Sequence, residues 1–245
     1  MERRNVLVGL AAFITAGCTK ISKSETFSGL VDSAEKLHKG AQRMLGGGQA
    51  LAREYTLADI SPSFRGNGNT EVDSDDYRAH LAAGFADWRL NVGGLVERPL
   101  SLSLDDVRAL PQRTQITRHD CVEGWSAIGQ WTGPQLSAIL EQAGVKPEAR
   151  YIVFRCADSF GETPYYESCD LNDAMHPQTI VAHQLNGEPL PVANGAPLRM
   201  RLERQLGYKH AKYLTAIEAV DTLEGIGQGG GGYWEDKGYQ WYAGV

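Results

Sequence analysis

From about Ala50 onward the chain is written in short apolar stretches separated by Gly, Pro and Asn, and this punctuation constrains the fold more than any other feature. "DWRLNVGGL" alternates Trp88, Leu90 and Val92 and predicts a strand. "SLDDVRAL" has Ser103 three residues before Asp106, the pattern of a capping box opening a short helix. "GPQLSAILEQAG" carries Leu136, Ile139, Leu140 and Ala143 at helical spacing, with Pro134 near its start and Gly144 as a stop. "YIVFRCA", "TIVAHQL", "PLRMRLE" and "KYLTAIEAV" read as strands, "LNDAMH" as a short helical piece, and "NGEP" and "ANGAP" as turns. This order is neither a regular βαβ alternation nor an all-β series, so the expected fold class is α+β, a single mixed domain over residues 51–245.

The segment before this domain has a different texture. Arg3 and Arg4 precede an uncharged apolar run over residues 6–17 that ends at Cys18. Twelve residues are too few to span a hydrocarbon core, which takes about 20 in a helix, so residues 1–18 read as an export signal. "TAGC" resembles a bacterial lipoprotein cleavage site with Cys18 as the acylated residue, and the paired arginines resemble a twin-arginine export signal. The expectation is an exported chain, periplasmic or tethered to a membrane surface. Residues 19–50 form a linker in which apolar positions from Phe27 to Leu45 recur at helical spacing before three glycines, predicting one amphipathic helix. The formal charge of −6, without a long basic run, argues against nucleic acid as a partner.

Removal of the signal leaves Cys121, Cys156 and Cys169, too few for a disulfide scaffold. Cys121 sits in "RHDCVEGWSAIGQWTG", between the extended "TQITRHD" and a helix, and the stretch reads as a loop in which Gly124 and Gly129 let a ligand come close. A thiolate there suits a soft metal. The residues alone leave three other readings open: a small buried thiol, a disulfide partner, or a nucleophile served by His119 or His183 in a hydrolase or acyl transferase. A lipoprotein binding module without catalysis is a further alternative. Cys156 and Cys169 could pair across a hairpin-like connection, although the reduced state is expected.

Taken together and in order, "DCVEGWSAIGQWTGPQL", "AMHPQTIVAHQLNGEPLP", "NGAPLRMRLERQLGYKHAKYL" and "GYWEDKGYQWYAGV" resemble the molybdopterin-binding domain of the sulfite oxidase superfamily. The resemblance runs from about Ser61 to Val245 and is to the exported bacterial branch, which includes the catalytic subunit of the periplasmic methionine-sulfoxide reductase. It implies a sulfite-oxidase-type fold and a mononuclear molybdenum cofactor. It further implies Cys121 as the thiolate ligand to the metal, and Arg199 and Lys212 on the phosphate of the pterin. Arg suits that task as a planar donor fork and Lys as a point charge. Backbone N–H groups of His210 and Ala211 would complete the phosphate cradle, and Asn194 and, more loosely, Asn67 would contact the cofactor. Cys156 stands where relatives can place a Thr against the pterin, and His183 where sulfite oxidases place an active-site Tyr, which makes His183 a candidate proton donor. Without the resemblance, Arg199 and Lys212 would be outward-facing strand charges, Asn194 a turn former, and His183 a core or rim residue.

Two departures from sulfite oxidases bear on substrate. No Arg stands shortly after Cys121; "CVEGWSAIG" offers Glu123 instead, whose charge would repel a dianion, although Arg118 could approach from the other side. Nor does the sequence after the cofactor domain extend into the dimerisation domain usual there. The expected activity is therefore two-electron oxygen-atom transfer at a small S-oxide, N-oxide or sulfoxide. Electrons would be exchanged with a separate partner, a haem protein in or near the membrane.

Overall fold

Trp88, Leu90 and Val92 are all buried, and their alternation starts the larger of the sheets. In this computed structural model, which describes residues 33–34, 37–41, 44 and 50–245, strand β1 (Arg89–Gly94) pairs antiparallel with β2 (Leu100–Ser103) and parallel with β11 (Leu214–Val220). Beyond β11 lie β5 (Tyr151–Phe160) and β6 (Thr163–Asp170), giving the order β2-β1-β11-β5-β6. The register sets Val92 beside Ile217 and Ile217 beside Phe154, a row of buried apolar side chains across three strands. The register shifts between Arg155 and Ser159 on β5, and between Leu214 and Ala216 on β11. Such irregularities release residues from the ladder and re-aim their side chains.

The helices follow the local signals. Helix α1 (Asp75–Ala82) starts at Ser74, which accepts the Tyr77 N–H, and buries Tyr77. Helix α2 (Leu104–Ala109) has its capping box, with Ser103 Oγ accepting the Asp106 N–H at 3.1 Å and Asp106 Oδ2 accepting the Ser103 N–H at 2.9 Å. Helix α3 (Leu136–Ala143) buries Leu136, Ile139, Leu140 and Ala143 and ends at Gly144. Each of its three large aliphatic side chains contributes about 1.5–3 kcal/mol by leaving water. Helix α4 (Leu171–Ala174) is one turn.

The expected loop over residues 118–133 is instead a nine-pair antiparallel hairpin. Strand β3 (Gln112–Asp120) pairs with β4 (Ser126–Pro134) from Gln112 opposite Pro134 to Asp120 opposite Ser126, leaving only residues 121–125 as the turn. Gly124, at φ +85°, does lie in the turn, but Gly129 and Gly133 mislead because they mark close packing rather than flexibility. A Cβ on Gly129 would come within 2.9 Å of Leu185 Cδ1, and one on Gly133 within 2.0 Å of the Val181 carbonyl oxygen. Gly129 thus faces packed side chains and not a ligand. Strands β8 (Gln184–Leu185) and β9 (Glu188–Pro189) extend this sheet, while β7 (Ile180–Ala182) pairs with β10 (Arg199–Arg201). The single strand read in "TIVAHQL" is therefore broken at His183, whose N–H donates to the Thr132 carbonyl.

The cysteines do not meet. Cys169 lies opposite Ile152 and Cys156 opposite Leu214, and Cys121, Cys156 and Cys169 are all free thiols. The chain divides into Met1–Gly48 and Gln49–Val245, and all the elements above belong to the second unit. The expected export signal lies outside the described residues, as does much of the expected linker helix, whose described residues 33–34, 37–41 and 44 are helical.

Candidate active site

A cavity of about 270 Å³ opens where four segments converge: the hairpin turn at Cys121, the loop at Asn67, the irregular end of β5, and the stretch from Tyr208 to Lys212. Trp234 and Tyr239 wall it from the C-terminal segment. Cys121 is 8% exposed; its N–H donates to the Trp125 carbonyl at 2.9 Å and its carbonyl accepts the Gly124 N–H at 3.0 Å. Two backbone bonds within the turn thus fix the Cys121 backbone. Burial holds this thiol above its ordinary value.

Behind the cavity stand two buried cations. Arg199, on β10, is fully buried, donates to the carbonyls of Asn194 at 2.9 Å and His210 at 3.4 Å, and has an Nε without a partner. Lys212, which lines the cavity, donates to the carbonyls of Asn69 and Ala193. Gly195, at φ +104°, makes room for both: a Cβ there would lie 2.9 Å from Lys212 Cβ and 3.3 Å from Arg199 Cβ. Among the described residues neither cation has a carboxylate within ion-pair distance. Burial and the neighbouring guanidinium of Arg201 bring Arg199 down to about 9, while burial and Arg199 bring Lys212 down to about 7. Arg201 differs, being chelated by Glu203 through Nε at 2.9 Å and Nη2 at 2.6 Å.

Two buried histidines lie beside these cations, their ring centroids 5.1 Å apart. His119 Nδ1 accepts from Arg201 Nη1 at 3.0 Å, leaving the proton on an Nε2 without a partner. His210 Nε2 faces the carbonyls of Leu202 and Gln205 at 2.9 and 3.0 Å, so it carries the proton, and Nδ1 is an unpartnered acceptor. Burial and then the neighbouring arginines hold both well below the ordinary imidazole range. A raised thiol and a lowered imidazole disfavour a resting thiolate–imidazolium pair.

Of the residues singled out in the sequence, Asn67, Cys121, His210 and Lys212 line this one cavity. Arg199 and Asn194 form its backing, with Asn194 Nδ2 3.4 Å from the Phe64 carbonyl. The His210 N–H is engaged by the Gly207 carbonyl at 3.2 Å, so it is not free for a cradle as expected; Ala211 is buried, its carbonyl accepting from Met200. Cys156 is half-buried on β5, two residues before Asp158, which does line the cavity. His183 is elsewhere: its Nε2 is 2.9 Å from Gln112 Oε1, because β7 turns it toward the start of β3. Arg118 does not reach Cys121 either, being paired with Asp120 at 2.9 Å, whereas Arg65 lies 5.1 Å from the Trp125 ring beside the turn.

Asp158 joins these residues at the cavity. It is 4% exposed, accepts the Asn69 amide at 2.9 Å through Oδ2, and leaves Oδ1 unpartnered. Burial raises its pKa. Only the irregularity on β5 brings it to the cavity, and an isolated Asp in a strand carries no signal of that.

A cavity that joins a sheltered thiol to buried cations without an ion-pair partner among the described residues is suited to an anionic, metal-bearing cofactor, and the chain belongs to a family of this kind. The model of the oxidoreductase molybdopterin-binding domain matches residues 79–225, so this protein is a molybdopterin oxidoreductase of the sulfite oxidase superfamily. It is 36% identical over 244 residues to YedZ1 of Azospira oryzae, whose name proposes a subunit of a protein-methionine-sulfoxide reductase; the match covers 100% of this chain and 86% of the relative. It is 34% identical over 188 residues to MsrP of Xanthomonas axonopodis pv. citri, the catalytic subunit of a protein-methionine-sulfoxide reductase, covering 72% of this chain but 58% of the relative. Among solved structures, sulfane dehydrogenase SoxCD from Paracoccus pantotrophus superposes with a TM-score of 0.52 at 25% identity, over 56% of this chain and 39% of that one.

The residues present fit such a cofactor. Asn67 Oδ1, Asp158 Oδ1 and His210 Nδ1 are buried polar atoms without partners on residues that line the cavity, and Arg199, which donates to the His210 carbonyl, has an unpartnered Nε, a costly arrangement in a protein that is to stay empty. One consequence concerns pH. Lys212 goes from an ordinary 10.5 to about 7 on folding, so between these values the unfolded chain binds more protons and stability rises with pH. Denaturation of the cofactor-free protein is expected to show a gain of roughly 3–5 kcal/mol from this group between pH 7 and 10.5, absent in Lys212→Met. His119 and His210 act only below about pH 6.5 and do not contribute in that window.

Proposed function

We propose that this protein is a molybdenum-cofactor-dependent reductase of sulfoxides, in which Cys121 ligates the metal and Arg199 and Lys212 hold the cofactor's phosphate. The observation that carries it is the pair of buried cations without carboxylate partners beside the cavity that also contains Cys121. When bound, the cofactor supplies the two-electron redox change that the reaction needs. The net reaction takes two electrons and two protons with R₂S=O to give R₂S and water. Asp158, with a raised pKa and a free Oδ1, is the group to hold one of those protons at the cavity. Trp125, whose Nε1 donates to Glu123 at 2.8 Å, fixes that carboxylate at the mouth. With Glu123 there and aromatic walls from Tyr208, Trp234 and Tyr239, a neutral sulfoxide is favoured over a dianion such as sulfite. The names of two relatives supply the same substrate class.

In this reading the electrons come from a separate haem-type partner, and the basic and apolar run before Cys18 exports the chain. Holoenzyme supplied with a reduced viologen dye is expected to oxidise two equivalents of dye per dimethyl sulfoxide or methionine sulfoxide consumed. Failure with every sulfoxide, alongside oxidation of sulfite by an electron acceptor, would replace this reading.

A further inference from the structure

The cavity does not end at its mouth. A second depression of about 380 Å³ shares Val122, Tyr208 and Tyr239 with it and continues over Leu206, Tyr242 and Ala243. Its floor is formed where the C-terminal segment runs beside residues 204–206: the Leu206 N–H donates to the Ala243 carbonyl at 2.8 Å, and Gln205 bridges Gly244. No side chain lining it is charged. Val122, next to Cys121, is 49% exposed and Tyr239 is 39% exposed, so two of the three shared residues leave apolar surface open to solvent.

An uncharged, largely apolar trough suits a polypeptide, whose side chains its walls would cover. A small sulfoxide such as dimethyl sulfoxide would reach the cavity without touching it.

We propose that this groove is a subsite for the apolar residue next to a methionine sulfoxide in a polypeptide substrate, with Leu206 and Val122 contacting that side chain. The proposal rests on the sulfoxide reading above and adds a sequence preference to it. The occupant follows from continuity: the shared residues Val122, Tyr208 and Tyr239 mean that the chain on one side of a sulfoxide bound in the cavity has this groove in its path. The uncharged lining disfavours Asp or Lys beside the sulfoxide, since either would lose hydration without gaining a partner.

The test uses the full-length holoenzyme with a reduced dye and blocked pentapeptides containing central methionine sulfoxide, flanked on one side or the other by Leu or by Asp. The expected kcat/KM for Leu exceeds that for Asp by about tenfold on one flank, the size of one modest apolar contact. Leu206→Asp is expected to erase that preference while turnover of dimethyl sulfoxide stays within twofold. Equal rates for the Leu and Asp peptides, or an equal loss by Leu206→Asp on peptide and dimethyl sulfoxide, overturn the subsite and leave the sulfoxide reading standing. Inactivity on every sulfoxide overturns both. Should the variant fail to fold, the Leu-to-Asp ratio on the wild-type enzyme decides the matter alone.

Discussion

Cys121→Ser is expected to lower the rate of sulfoxide-dependent dye oxidation by at least about 10²-fold. Mutation of groups that merely support a metal's ligands costs 10 to 100-fold, and a ligand itself should cost no less. The folded state should hardly notice. Cys121 is held at the turn by backbone bonds to Trp125 and Gly124 that a serine keeps, and the exchange of sulfur for oxygen leaves no cavity. Thermal unfolding of the cofactor-free variant should therefore match the wild type within a few degrees. A variant with wild-type turnover would show that the sheltered thiol is incidental.

The second large effect is on retention of the cofactor. Arg199→Leu is expected to reduce the pterin that remains with the chain through gel filtration by at least about tenfold, the scale of one charge-assisted hydrogen bond. The effect on stability without cofactor has the opposite sign. Burial and the neighbouring Arg201 bring Arg199 down to about 9, which means that the empty protein holds this charge at a cost, so an apolar replacement, even by the shorter leucine, should leave the melting temperature unchanged or raise it. The two carbonyls it serves, those of Asn194 and His210, set a limit on that gain. The combination matters: a residue whose loss weakens cofactor retention yet does not weaken the fold is there for the cofactor. Destabilisation by several kcal/mol with the pterin still held would make it a structural arginine.

Much of the fold could be read from local chemistry. The capping box at Ser103, the apolar stripe of α3 with its stop at Gly144, and the alternation into β1 all act within a few residues, and each is found as expected. What could not be read depends on distant partners. Gly129 and Gly133 imply a loop by composition, but they sit in β4 because Leu185 and Val181 press against them. Strand β6 contains Glu167 and Ser168, both buried, which hides any alternation; their partners, Lys209 for the first and Gly231 for the second, lie far along the chain.

The site divides along the same line. Cys121, Asn67, His210 and Lys212 come together at one cavity, and the family resemblance had grouped them. His183 stands outside the group because β7 and β8 part at that residue, a break that "TIVAHQL" does not announce. Asp158 becomes visible only through the irregular register of β5, and the groove past Val122 only once residues 204–206 are seen beside the C-terminal segment.

The most direct measurement is the molybdenum and pterin content of the wild-type chain, purified from a host that makes the molybdenum cofactor. The account predicts about one of each per chain, with the pterin lost in Arg199→Leu and the metal's spectrum changed in Cys121→Ser. A folded wild-type chain from such a host that carries neither metal nor pterin would contradict it.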